Sequence, residues 1–430
     1  MLRNRVLLAF AFVLSLALQA HAQGLPRASA PENVGLSSER LGRLSTAIQA
    51  GVDRSEIPGA VIIVARKGKV AYLESFGFRD REAGSRMPQN AIHRIASMTK
   101  PITTVGFMIL VEEGKVSLAD PVALYLPELK DVKVGIEKKD DSGAMQLVLE
   151  TPQRAMTIHD LLRHTSGFTY GFFGKSLVKD QYNAVKVTDA GQTSAEFITK
   201  LASIPLQYHP GTTWEYSVST DVLGRIIEVV SGTPLDQFVA ERVLAPLKMT
   251  DTGFWVEQRE KHNRIAELQV DPATGKRPTA PDRTQKPNWL SGGGGMVSTA
   301  PDYARFCQFL LNGGKLDGTR LVSRKTVEYM ASDHLPLGIR VNGFSVSVID
   351  ARPENGQGFG LGFTVRTSAG RTSVPGSVGD FGWTGIYGTQ FWVDPKEQMF
   401  AVMMLQTATP ATRAKYWTGL RDLVYQAIVD

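Results

Sequence analysis

The 430-residue sequence predicts an α+β fold in which both ends of the chain build one antiparallel sheet. Apolar, β-branched stretches cluster before residue 77 and after residue 358, and the segment between them has helical periodicity interrupted by loops. Because strands and helices do not alternate, the pattern does not favour a parallel βαβ arrangement. We therefore expect a sheet flanked by helices, an inserted helical subdomain, and a cleft where the two meet.

The elements follow from apolar spacing and from their end signals. Ser37 or Ser38 can cap the first helix, Ser298 to Pro301 begins a later one, and Gly313 with Gly314 ends it. A short glycine turn joins the first two strands as a hairpin. Helices are predicted over residues 38–50, from the Ser97 segment to about 114, and over 158–163, 194–203, 221–231, 235–244, 298–313 and 416–428. Strands are predicted over 59–66, 70–76, 360–365, 388–393 and 399–405.

We expect one domain over residues 23–430, preceded by a leader. Its α/β part comprises residues 23–115 and 290–430, and the helical insertion comprises residues 116–289. The length is ample for a large core and more than one subdomain.

Residues 1–22 have the pattern of a secretory signal peptide. Arg3 and Arg5 precede a 13-residue run at 6–18 that is apolar except for one serine, and Ala-His-Ala at 20–22 offers a cleavage site. The run is short for a bilayer span, and no cysteine follows it as in a lipoprotein. We expect cleavage near Ala22, a periplasmic or secreted protein and no membrane span in the mature form; the alternative is an uncleaved anchor.

Charge and cysteine content restrict the partners. The net charge of +6 is spread along the chain without a basic stripe, so no nucleic-acid partner is predicted. Cys307, the only cysteine, lies on an apolar helix face. We expect a buried, inert thiol and no internal disulfide. The sequence carries no signal for an oligomeric state.

The stretch from Ala96 to Pro101 carries the strongest chemical pattern. Ser97 and Lys100 are three residues apart, which places both side chains on one face of a helix. A serine hydroxyl needs a partner to take its proton, and a buried lysine can act as that base. The alternative is a serine cap followed by a solvated lysine. Pro101 is compatible with the catalytic pair or with the serine cap only if the helix begins at about this position.

Two further stretches are candidates for the same site. Tyr216 precedes a helix and could move a proton between the serine, a water molecule and a leaving group, although a lone tyrosine can equally be a packing residue. Trp383, Thr384 and Gly385 open a glycine-rich strand edge that a ligand could approach closely, or that is an ordinary hairpin.

Together these motifs resemble the serine β-lactamase and penicillin-binding-protein superfamily, and most closely the class C β-lactamase-like esterases called family VIII carboxylesterases. The resemblance covers nearly all of the mature chain and implies that family's fold. The motifs occur in the expected order: Ser97-Met98-Thr99-Lys100, Leu162 to Phe168, Tyr216-Ser217-Val218, Gly293 to Thr299, and Trp383-Thr384-Gly385.

The resemblance also implies roles. Ser97 becomes acylated, Lys100 takes its proton or tunes Tyr216, and Tyr216 protonates the leaving group and activates the deacylating water. The backbone N–H groups of Ser97 and Ile386 form the oxyanion hole. Trp383, Thr384 and Gly385 contact the substrate.

Two departures from the family pattern favour esters. Trp383 replaces the lysine that usually binds a substrate carboxylate, and Val218 replaces an asparagine found in many class C enzymes. We therefore expect a carboxylesterase that cleaves a small-molecule, short-chain ester. Slow β-lactam hydrolysis remains open as a side activity. The alternatives are a β-lactamase or D-amino-acid peptidase, and an inactive binding protein on the same fold.

Several features are interpreted without a catalytic role. The glycines at 292–295 lack phosphate-loop spacing, and His159 and His164 lack a zinc motif, so we expect no cofactor and no metal. The aromatic loop at 168–174 is either one wall of an apolar cleft or local packing, and Tyr170 is the side chain expected to face the cleft.

Overall fold

The computed structural model describes residues 24–271, 274–342 and 352–430, so the predicted leader lies outside the described residues. An eight-stranded antiparallel sheet forms the centre of the protein. With the strands numbered along the chain, their order in the sheet is β12-β13-β14-β15-β16-β1-β2-β3. The strands are β1 Gly59–Arg66, β2 Lys69–Asp80, β3 Ser85–Arg86, β4 His93–Arg94, β5 Val134–Lys139, β6 Met145–Glu150, β7 Thr213–Trp214, β8 Val297–Ser298, β9 Lys315–Leu316, β10 Thr319–Arg320, β11 Arg340–Val341, β12 Gln357–Phe359, β13 Thr364–Arg366, β14 Phe381–Thr384, β15 Gln390–Asp394 and β16 Met399–Leu405.

The helices lie on both faces of this sheet and in the insertion. They are α1 Ser38–Asp53, α2 Thr99–Glu112, α3 Ile158–Leu162, α4 Leu177–Ala184, α5 Ser194–Ala202, α6 Ser219–Ser231, α7 Leu235–Val239, α8 Ala300–Leu311, α9 Arg324–Met330 and α10 Pro410–Tyr425. A π-helical turn, Ala240–Leu244, continues α7.

The pairing of β1 with β16 joins the two ends of the chain, from Ala60 opposite Leu405 to Arg66 opposite Met399. Both strands are buried along their whole length, because helices cover both faces of the sheet. Ile62 belongs to the apolar layer under α1 and α10, whereas Ile63 belongs to the larger core that contains α2 and α8. The predicted sheet from both chain ends is confirmed.

Some predicted elements differ from those observed. Of the strand expected over 360–365, residues 360–363 form the turn of a hairpin and only 364–365 lie in a strand, because β12 ends at Phe359 and β13 begins at Thr364. The last helix begins six residues earlier than predicted, at Pro410, where proline suits a first helical turn. The region predicted to be helical and looped also holds the β5–β6 hairpin, in which Val134 pairs with Glu150.

Cys307 is fully buried on α8, as predicted. Burial raises the pKa of its thiol well above the ordinary value, which makes it inert. Among the described residues, none of the helices combines the length and apolar character that a bilayer crossing requires.

Candidate active site

Ser97 lies on a short 3₁₀ turn, Ala96–Met98, that leads directly into α2. The φ angle of Ala96 is +46°, a conformation that L-residues adopt rarely, so the backbone bends sharply just before the serine. Tyr303 fastens this turn by donating from its hydroxyl to the Met98 carbonyl at 2.9 Å. Pro101 is the third residue of α2, where no helical N–H is lost.

Lys100 is completely buried, which excludes the alternative of a solvated lysine. Its Nζ lies 2.6 Å from the carbonyl oxygen of Gly293, 3.1 Å from the hydroxyl of Tyr170 and 3.5 Å from the hydroxyl of Ser97. The three N–H groups of an ammonium match these three oxygens. The contact with Ser97 is the longest of the three and lies at the limit of a hydrogen bond.

The aromatic ring of Tyr216 lies beside Lys100. Lys100 Nζ lies 4.6 Å from the ring centroid of Tyr216, a cation–π contact. The indole of Trp383 donates to the Tyr216 hydroxyl at 3.4 Å. Within the described residues, no hydrogen bond joins that hydroxyl to Ser97 or Lys100. The structure therefore brings Ser97, Lys100, Tyr216 and Trp383 together, with Trp383 holding the phenol.

The Trp383-Thr384-Gly385 stretch closes the site from the sheet side. Trp383 and Thr384 end β14 and are buried. A Cβ on Gly385 would lie 2.4 Å from the carbonyl oxygen of Ile95, so only glycine lets this strand end approach the Ser97 turn so closely. The Thr389 hydroxyl also donates to Ile95 at 3.2 Å.

Ser97 and Ile386 line the same cavity. Neither backbone N–H group has a hydrogen-bond acceptor within the described part of the chain. Free amides beside a nucleophile are the arrangement that stabilises an oxyanion.

Asp221 is a buried acid that the sequence did not single out. Its Oδ1 accepts hydrogen bonds from the Ser291 hydroxyl at 2.5 Å and from the Gly293 amide at 3.0 Å. Burial raises the pKa of Asp221, and the charge of Lys100 opposes that shift. Asp221 is five residues after Tyr216, in the first turn of α6. Acidic residues are common in the first turn of a helix because they interact favourably with its dipole, so the sequence provides no reason to assign Asp221 another role.

Tyr170 lies deeper than a residue that only faces the cleft. Its hydroxyl contacts Lys100, and burial, with the charge of Asp221 adding to it, raises the pKa of that hydroxyl well above its usual value. The phenol therefore stays protonated at neutral pH. The ring packs 5.4 Å from Tyr216 and 4.9 Å from Phe172, between centroids.

The cleft above these groups has a volume of about 620 Å³. Its aromatic lining includes Tyr170, Phe172, Phe173, Trp214, Tyr216 and Trp383. Both interpretations of the aromatic loop hold in part, because Phe168 is buried in the core whereas Phe172 and Phe173 line the cleft.

A buried ionic network holds the chain just before Tyr216. The Glu215 carboxylate accepts from the Thr169 hydroxyl at 2.6 Å and lies 3.0 Å from Lys179 Nζ. Asn342 donates to it at 2.5 Å. Each of these partners satisfies a charge or polar group that burial would otherwise penalise.

His159 and His164, the two histidines considered as zinc ligands, have structural positions. His159 is hydrogen-bonded to His334 at 3.0 Å, and His164 is buried beside Ser217. The described residues contain no group of three or more His, Cys, Asp or Glu side chains arranged to hold a metal ion.

The fold and this site define a serine hydrolase of the β-lactamase and penicillin-binding-protein superfamily. The Beta-lactamase family profile matches residues 44–426, and the chain belongs to that family.

Its relatives include esterases. Protein Rv1367c of Mycobacterium tuberculosis is 35% identical over 359 residues, which cover 82% of this chain and 87% of that protein. Esterase EstB of Burkholderia gladioli is 30% identical over 402 residues, 89% of this chain and 94% of EstB. Among solved structures, EstCE1, described as a hydrolase with promiscuous acyltransferase activity, superposes with a TM-score of 0.74 at 25% identity, covering 90% of this chain and 99% of EstCE1.

Proposed function

We propose that this protein is a carboxylesterase that cleaves short-chain esters through an acyl-enzyme on Ser97. The observation that carries the proposal is the buried Lys100, whose Nζ lies 3.5 Å from the Ser97 hydroxyl, at the foot of an aromatic cleft. The similarity to EstB, which is named an esterase, supports the same reaction class.

In the proposed mechanism, Ser97 Oγ attacks the ester carbonyl. Its proton passes to the Lys100 and Tyr216 pair, either to Lys100 as a neutral amine or to the oxygen of a Tyr216 phenolate beside the Lys100 ammonium. The amides of Ser97 and Ile386 receive the negative oxygen of the tetrahedral intermediate. The C–O bond to the alcohol breaks as the pair returns the proton to the departing oxygen. Water then attacks the acyl-enzyme and gives a proton to the same pair. The bond between the acyl carbon and Ser97 Oγ breaks as the pair returns that proton to Oγ, which releases the acid and free Ser97.

Trp383 favours an ester over a β-lactam or a D-alanyl peptide. It occupies the position from which a lysine would bind a substrate carboxylate, and it presents an uncharged aromatic surface to the cleft. The aromatic lining suits an apolar acyl or alcohol group.

We also propose the two-part organisation expected above, with residues 23–115 and 290–430 in one part and 116–289 in the other. Ser97 and Trp383 come from the first part and Tyr216 from the second, so the cleft would lie between them. We further propose export with cleavage near Ala22. N-terminal sequencing of protein purified from the native host tests the cleavage site.

The test of the esterase proposal is Ser97→Ala, assayed with p-nitrophenyl acetate and butyrate. We expect kcat/KM to fall more than about a thousandfold, because a nucleophile has no substitute. Ser203→Ala, an exposed serine on the insertion, is the matched control and should keep wild-type activity. Hydrolysis by Ser97→Ala at the wild-type rate would overturn the proposal.

Two further measurements separate the alternatives. A higher kcat/KM for nitrocefin or for a D-alanyl peptide than for the short esters would replace the esterase with a β-lactamase or peptidase. Failure of a fluorophosphonate probe to label Ser97, together with no turnover of any of these substrates, would indicate a binding protein.

A further inference from the structure

Arg283 is a buried cation for which the described residues provide no hydrogen-bonding or ion-pair partner. The residue is 9% exposed, yet it lines the cleft that contains Ser97. Its Nε has no hydrogen-bond partner, and the described residues provide no hydrogen bond or ion pair to its guanidinium. Burying an unpaired charge is costly, and buried arginines are normally paired. The position therefore indicates a missing anionic partner.

The acids near Arg283 are already engaged. The neighbouring residue, Asp282, is exposed, and its Oδ1 accepts from both the amide and the hydroxyl of Thr284 at 2.8 Å. Glu267 pairs with Arg94 at 3.2 Å. Burial lowers the pKa of Arg283 to about 10, with the charge of Arg94 contributing, so the guanidinium stays protonated at neutral pH.

Arg283 is held close to the nucleophile segment. Arg94, three residues before Ser97, donates from Nε to the carbonyl of Pro281 at 2.8 Å. That bond ties the 281–283 segment to the strand that leads to Ser97. Tyr387, which follows Ile386, feels the charges of both Arg94 and Arg283, which oppose the rise that burial causes in its pKa.

A second buried arginine, Arg413, lines the same cleft. It is 8% exposed, and its Nε has no hydrogen-bond partner among the described residues. Its Nη1 donates to the carbonyl of Ala408 at 2.6 Å, so this arginine is already partly satisfied by the chain itself.

We propose that Arg283 binds a carboxylate carried by the substrate. The substrate class is then an ester with a free carboxylate, one end held by Arg283 while the ester bond lies at Ser97. This inference rests on the proposed esterase function. A guanidinium is the side chain best suited to the task, because its two parallel N–H groups match the two oxygens of a carboxylate.

The carboxylate has two sources, the acyl part or the alcohol part of the ester. For the acyl part, kcat/KM is compared between monoethyl adipate and ethyl hexanoate. For the alcohol part, it is compared between 6-acetoxyhexanoate and hexyl acetate. We expect the acidic ester to be preferred at least tenfold in one of the two pairs, and the pair that shows it identifies the source. No preference in either pair overturns the inference.

Arg283→Met should reduce that preference at least tenfold, mainly through KM, and Arg283→Lys should retain part of it because the charge remains. Arg259→Met removes an exposed arginine and is the matched control, which should keep the wild-type preference. An undiminished preference in Arg283→Met would also overturn the inference.

Binding without turnover separates this inference from the proposed reaction. Calorimetric titration of Ser97→Ala with adipate should detect binding at least tenfold tighter than that of adipamide, its uncharged diamide. The Ser97→Ala, Arg283→Met double variant should lose this difference. If Ser97→Ala abolishes hydrolysis but adipate binds no better than adipamide, the esterase proposal stands and the carboxylate site is wrong. If Ser97→Ala still hydrolyses esters, the titration alone decides the carboxylate site.

Discussion

The carbonyl oxygen of Gly293 lies 2.6 Å from Lys100 Nζ, closer than the hydroxyl of Ser97 at 3.5 Å. The amide of the same glycine donates to Asp221 at 3.0 Å, so one residue of the backbone positions both the buried cation and the buried acid. A Cβ at residue 293 would lie 2.4 Å from Asp221 Oδ2. A side chain at residue 293 would therefore displace the Asp221 carboxylate, and with it the peptide that contacts Lys100.

Gly293→Ala should lower kcat/KM for p-nitrophenyl butyrate by about ten- to a hundredfold, because a small displacement of a catalytic group costs that much. Gly294→Ala is the control, since its nearest new contact lies at 3.9 Å, and it should keep most of the activity. Equal losses in the two variants would mean that general loop disorder, and not the Lys100 contact, is responsible.

Tyr170→Phe should reduce kcat about tenfold, because it removes the hydroxyl that lies 3.1 Å from Lys100 Nζ and leaves the ring in place. Stopped-flow acylation rates with p-nitrophenyl butyrate would measure the effect directly. Tyr72→Phe removes a hydroxyl that contacts Ser45 at 2.9 Å in α1, and it should leave the acylation rate unchanged. An unaltered rate in Tyr170→Phe would assign that hydroxyl to packing alone.

Ile386→Pro deletes one of the two proposed oxyanion donors. We expect kcat to fall by about a hundred- to a thousandfold, as observed when such a donor is removed. Ile386→Ala keeps the amide and should lose much less activity. Circular dichroism and fluorophosphonate labelling of Ser97 would establish that the proline variant is folded. Similar activities in the two variants would exclude the amide at residue 386 from catalysis.

Stability should fall when the pH drops below 6.5, because His93 is completely buried and burial lowers its pKa to about 4. The unfolded chain, with a histidine pKa near 6.5, binds a proton that the folded chain rejects. The contribution of neutral His93 to the free energy of unfolding is complete above pH 6.5 and is lost as the pH falls towards 4. The loss amounts to about 2 kcal/mol between pH 7 and 5.

Urea unfolding at pH 7 and pH 5 measures this effect. In His93→Gln, the loss of unfolding free energy between the two pH values should be about 2 kcal/mol smaller than in the wild type. The same pH dependence in both proteins would mean that other groups cause it.

Local patterns identified the proposed nucleophile, its proposed base and the central strands, because each is contained in a short segment. Ser97 and Lys100 are three residues apart, and β16 is an uninterrupted apolar run. The β5–β6 hairpin escaped prediction because its strands are partly exposed and charged, so they lack the alternation that marks a strand.

Side-chain partners were the least predictable feature. The sequence around Asp221 contains no functional motif. Its place in the site follows only from the fold, in which α6 brings it beside Gly293, 72 residues later in the chain. Arg283 likewise lies in a polar loop that reads as solvent-exposed, and only the tertiary fold shows that it is buried. Distances between segments far apart in sequence decide both cases.

The pairing of β1 with β16 has a consequence for synthesis of the protein. Ala60 pairs with Leu405, which is 345 residues further along the chain, so one edge of an apolar strand stays unpaired until that residue has been synthesised. Contacts this distant also slow folding. A premature stop codon upstream of residue 399 would therefore leave a fragment with an unpaired apolar strand edge, which is prone to aggregate, instead of a partly active enzyme.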